Sequence, residues 1–93
     1  MIYMPGLKLD NITQNKIDIK VYPAQAGFTS KEASILLNAT ETPEGYIIDR
    51  ELLEQLAIAM DIQTAGIMPA VRRLVTKGAI TKIAPGKYIV NTV

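Results

Sequence analysis

No cysteine and no histidine occur in the 93 residues. Their absence excludes disulfides, thiolate zinc sites, cysteine nucleophiles and every catalytic arrangement built on imidazole. It leaves the redox state of the compartment open. No apolar run approaches the roughly 20 residues a membrane-spanning helix needs. Met1-Ile2-Tyr3-Met4 is apolar but lacks the basic flank and sustained apolar core of a secretory signal, so the mature chain is expected to begin at or near residue 1, in the cytoplasm and without a membrane partner. There is no glycine-rich phosphate loop, no metal-ligand constellation and no nucleophile beside a base. The carboxylates of Glu41, Glu44, Asp49, Glu51 and Glu54 stand beside proline, glycine or helix-start signals, where acids favour water and the helix dipole. The expectation is a chain that is not an enzyme, binds no cofactor and carries no metal. Nothing in the pattern implies a pocket, so no small-molecule effector is assigned.

What is present is a division of charge that the net value of +1 hides. Residues 1–61 hold Lys8, Lys16, Lys20, Lys31 and Arg50 against nine acids, a net of −4; residues 62–93 hold Arg72, Arg73, Lys77, Lys82 and Lys87 with no acid, a net of +5. A protein with one face toward a polyanion has this polarity. A length of 93 residues is one domain, small enough to gain from a partner.

Residues 1–27 are punctuated by Pro5-Gly6, Pro23 and Gly27, and Ile17, Ile19 and Val21 alternate with Asp18, Lys20 and Tyr22. That period of two predicts an extended arm with one buried face, suited to dimerisation. Residues 28–93 form the domain proper. Thr29 and Glu32 have capping-box spacing and Phe28 and Ala33 staple spacing, so a helix starts near Ser30, with Ala33, Leu36, Leu37 and Ala39 on its apolar face. Thr40 to Gly45, with Pro43, ends it, and Tyr46-Ile47-Ile48 is β-prone. Asp49 caps a second helix bearing Leu52, Leu53, Leu56, Ala57 and Met60 at helical spacing. A third helix follows with Thr64 or Gln63 as its cap, turns Ile67, Val71, Leu74 and Val75 inward and stops at Gly78, a C′ glycine. Pro69 within it removes one hydrogen bond and predicts a kink or a late start. Ala79 to Ile83 and Tyr88 to Val90, joined by a type II turn at Pro85-Gly86, make a β-hairpin.

The stretch "DRELLEQLAIAMDIQTAGIMPAVRRLVTKGAITKIAPGKYIVN", residues 49–91, and in particular "AVRRLVTKGAI" with "GKYIVN", resembles the winged helix-turn-helix domains of MarR-type regulators and of Gram-positive plasmid replication proteins. The resemblance implies an α+β fold of three helices and a small antiparallel sheet with a β-hairpin wing, here with an N-terminal extended arm. It implies that the start of the third helix enters the major groove of double-stranded DNA, so that Gln63, Thr64, Ala65, Met68 and Pro69 approach base edges and Arg72 a base or phosphate. Ala65 and Met68 can touch thymine methyls; Gln63, Thr64 and Arg72 can make polar contacts. This chain departs from the family at Pro69, usually polar or basic, and at Gly66. Arg73, Lys77, Lys82 and Lys87 would come to one side and meet phosphates.

The expected function is therefore sequence-preferring DNA binding by a homodimer, as a transcriptional regulator or a plasmid or phage replication or partition factor. The competing expectation is a winged helix that docks protein within a larger assembly through Ala65, Ile67, Met68 and Pro69.

Overall fold

The computed structural model describes residues 19–91. Their order is α1 (Ser30–Leu37), β1 (Thr40–Thr42), β2 (Gly45–Asp49), α2 (Arg50–Ala59), α3 (Thr64–Thr76), β3 (Ile80–Ala84) and β4 (Lys87–Val90). The class is α+β: three helices against one antiparallel sheet of four strands in the order β1-β2-β4-β3.

Short-range hydrogen bonds set most element ends. Thr29 Oγ1 accepts from Glu32 N at 3.2 Å while Glu32 Oε1 accepts from Thr29 N at 2.9 Å, which completes the expected capping box of α1. Asp49 Oδ1 accepts from Leu52 N at 2.8 Å and starts α2. Both α2 and α3 end in the same pair of reversed bonds: Ile62 N donates to Ala57 O and Asp61 N to Ile58 O, then Ala79 N to Leu74 O and Gly78 N to Val75 O. The left-handed position is Gly78 in the second case, with φ 81°, and Asp61 in the first, with φ 58°. Four residues, Met60 to Gln63, thereby join α2 to α3.

Register places the core. Ile48 pairs with Tyr88 and Ile80 with Val90, and paired residues share a face, so Ile48, Tyr88 and Ile80 point together at the helices. There they meet Ile35, Leu52, Leu53, Leu56, Ile67, Ala70, Val71 and Leu74, all buried.

Four local expectations change. Ile35 is buried on α1 together with the expected Ala33, whereas Leu37 is 51% exposed. Val75 does not face inward but is 41% exposed, because Ala70, Val71 and Leu74 already fill the buried stripe of α3. Thr40–Thr42 is a strand, hairpin-paired to Gly45–Ile47, rather than only a helix terminus. Pro69 lies inside an α3 that runs continuously from Thr64, with Gln63 as N-cap, so the expected late start does not occur. The amide that Pro69 lacks would have met the carbonyl of Ala65, an exposed residue.

Of the expected arm, residues 1–18, with Ile17, lie outside the described residues. Lys20 and Tyr22 lie along α1 of their own chain. Asn38 Oδ1 accepts from Lys20 N at 3.1 Å and Asn38 Nδ2 donates to Lys20 O at 2.7 Å; Ser34 Oγ accepts from Tyr22 N at 2.9 Å. Alternate residues of an extended chain and successive turns of a helix have similar repeats, near 7 and 5.4 Å, so two side chains substitute for a neighbouring strand. Within the single chain Val21 is 49% exposed, while Ile19 and Phe28 pack on the core.

Candidate nucleic-acid interface

The outward side of α3 carries Gln63, Ala65 and Arg72 exposed, with Thr64, Met68 and Pro69 half-buried. Gln63 holds the N-cap position with extended backbone, and its exposed side chain makes no capping bond and has no hydrogen-bond partner among the described residues. Thr64 is the first helical residue. Met68 divides its contacts, packing against the core with one side. No acid stands in the first turn of α3, and no residue of 62–93 is acidic. The helix N-terminus, with its unpaired amides, therefore keeps its positive potential.

The four bases expected on one side, Arg73, Lys77, Lys82 and Lys87, are divided between different partners and faces. Arg73 and Lys77 turn toward α1 and close on Glu32: Arg73 Nε donates to Glu32 Oε2 at 2.8 Å and Lys77 Nζ to Glu32 Oε1 at 2.9 Å. Glu32 is fully buried, while the two cationic side chains stay 48% and 42% exposed. Lys77 also reaches Gly27 O at 3.4 Å and stands 4.8 Å above the Phe28 ring. The Lys77 hydrogen bond, then the Thr29 amide and Arg73, hold the Glu32 carboxyl down at about 2 against the opposing effect of burial. The carboxylate is charged throughout the physiological range.

The hairpin separates the remaining two lysines. Lys82 pairs with Tyr88 and so lies on the helix side of the sheet, whereas Lys87, adjacent to Tyr88 in β4, points to the opposite face, where it pairs with Asp49. Between Lys82 and Ala84 the register shifts, leaving Ile83 exposed at a bulge. The turn itself does not stand clear of the domain: a Cβ built on Gly86 would lie 3.6 Å from Arg50 Cβ, at the start of α2. Arg72 and Lys82 are thus the cations of the segment that are exposed, free of ion pairs among the described residues and not directed to the far face.

Sequence reasoning read Glu32 only as half of a capping box and did not connect it to α3. The one signal available was that Arg73 and Lys77, one turn apart in a segment without acids, require a counter-charge from elsewhere. Lys31, assigned to the acidic half of the chain, also reaches α3, with Nζ 3.4 Å from Gly66 O. A shallow open groove is lined by Ile19, Lys20, Tyr22, Leu37 and Asn38, away from α3. Among the described residues no cluster of acidic ligands could hold a metal, and no helix is long and apolar enough to cross a membrane.

The chain matches no family model, no curated protein and no solved structure.

Proposed function

We propose that the chain is a winged helix-turn-helix protein that binds double-stranded DNA, with α3 in the major groove and the β3–β4 hairpin toward the flanking backbone. The order of the elements and the pairing of β2 with the hairpin are compatible with that fold. The observation that carries the reading is the outward face of α3: an acid-free helix that presents Gln63, Ala65 and Arg72 exposed, the Gln63 amide and the Arg72 guanidinium having no side-chain partner among the described residues. A regulator of transcription, or a replication or partition factor of a plasmid or phage, uses such a face, working in the cytoplasm as a homodimer that doubles a weak half-site contact.

The test is a titration of duplex DNA from the gene's own neighbourhood at several salt concentrations. With two or three phosphates met per protomer, the logarithm of affinity falls against log salt with a slope of about −2 to −3 per protomer and twice that for a dimer. Absence of binding at low salt removes the reading.

A second reading has its own observation. Met68 and Pro69 are half-buried, Ala65 and Val75 are exposed on α3, and Arg73 and Lys77 are engaged with Glu32, which suits docking of a protein partner. Binding that is insensitive to salt and lost in Met68→Glu would favour it.

A further inference from the structure

The Glu32 network treats its two cations differently. Lys77 is used up: its ammonium meets Glu32, the Gly27 carbonyl and the Phe28 ring. Arg73 is held by Nε alone. A guanidinium has five N–H donors, so the four on its terminal nitrogens remain, and among the described residues none of them has a partner. The side chain is half exposed, directly after the uncovered Arg72. A buried carboxylate that grips an arginine by its inner nitrogen fixes the side chain's rotamers and leaves its outer edge, the fork that matches two phosphate oxygens, directed away from the grip. The charges of Glu32, Arg73 and Lys77 leave a surplus of one positive charge at that edge.

We propose that Glu32 is a positioning residue for contact with the DNA backbone: it holds Arg73 by Nε so that the two terminal nitrogens receive one phosphate of the duplex. This rests on the DNA-binding reading. It differs from the simpler electrostatic role, in which Glu32 masks two cations and weakens binding. The two roles predict opposite signs for one substitution, because Glu32→Gln adds a positive charge and releases the grip together.

The experiment uses the full chain with labelled arginine. In the wild type the Arg73 Nε–H signal exchanges slowly with water and stands apart from those of Arg50 and Arg72; in Glu32→Gln it joins them. DNA titrations across salt then compare wild type, Glu32→Gln and Arg73→Lys, each checked for an unchanged amide spectrum. Positioning predicts that Glu32→Gln binds about three- to tenfold more weakly, and with a slope shallower by about one per protomer, despite its higher net charge. Arg73→Lys, on a half-exposed side chain that keeps its charge, shows the same loss and keeps the comparison available if Glu32→Gln does not fold. Tighter binding by Glu32→Gln, or an unchanged slope in both variants, overturns the positioning role and leaves DNA binding standing. A wild type that binds no DNA at about 50 mM salt overturns both.

Discussion

Lys77, the C-cap residue of α3, places its ammonium 2.9 Å from the Oε1 of Glu32 in the first turn of α1. The contact ties the end of one helix to the beginning of another 45 residues away in sequence. Because Glu32 is lowered from 4.5 to about 2, its contribution to stability is complete above the unfolded value and is lost as pH falls from about 4.5 to 2. Solvent reaches both cations, so the contribution is about 1 to 2 kcal/mol. Unfolding free energies from urea titrations should fall between pH 7 and pH 2.5 by about that amount more in the wild type than in Glu32→Gln. Equal falls in the two proteins would show that Glu32 is not the titrating group.

Two glycines of the same helix region should respond in opposite directions to alanine. Gly66 sits in α3 with a negative φ, and a Cβ there would touch Ile62 at 3.6 Å, an ordinary contact. Gly66→Ala should stabilise by about 0.5 to 1 kcal/mol. Gly78 has open space around it but a φ of 81°, so Gly78→Ala should destabilise by about 1 kcal/mol through backbone strain alone. Thermal unfolding of both variants decides; a destabilised Gly66→Ala would mean that α3 needs the bend a glycine permits.

Docking of the 19–22 segment on α1 rests on Asn38, whose amide both donates to and accepts from the backbone of Lys20. Loss of both bonds in Asn38→Ala, worth about 1 kcal/mol each, should free the segment, and limited trypsin cleavage after Lys20 should accelerate about tenfold. Ala substitution at Ile58, 71% exposed on α2 and outside the groove beside the segment, should leave the rate unchanged. If both variants are cut at the wild-type rate, the side-chain pairing does not secure the segment.

On DNA, the exposed residues Gln63, Arg72, Lys82 and Lys87 should divide by role. Gln63→Ala and Arg72→Ala should each reduce discrimination between a specific and an unrelated duplex by about 1 to 3 kcal/mol, the value of one base contact. Lys82→Ala should weaken both duplexes alike. Lys87→Ala should change neither, because Lys87 lies on the other face of the hairpin from Lys82. An effect of Lys87 equal to that of Lys82 would indicate that the hairpin is gripped from both sides.

Features decided within a few residues were legible in the chain. Thr29 and Glu32, Asp49 and Leu52, and Gly78 after Leu74 complete their hydrogen bonds inside one helical turn, so spacing alone announces them. The apolar stripe of α2 was legible for the same reason, as Leu52, Leu53, Leu56 and Ala57 repeat with the helix and are all buried. Val75 and Leu37 were not, because spacing shows which residues share a face but not how wide a stripe the neighbouring elements cover.

The division of labour among the five bases of residues 62–93 was beyond the sequence altogether. Composition determined that the segment would be positive and free of acids, and local patterning that Arg72, Arg73 and Lys77 would stand on a helix and Lys82 and Lys87 on a hairpin. Only the packing of α1 against α3 brought a carboxylate across 41 residues to Arg73, and only the pairing of β4 between β2 and β3 put Lys82 and Lys87 on opposite faces. Coulomb attraction acts on distance in space, and distance between elements far apart in sequence is fixed by which apolar faces bury each other.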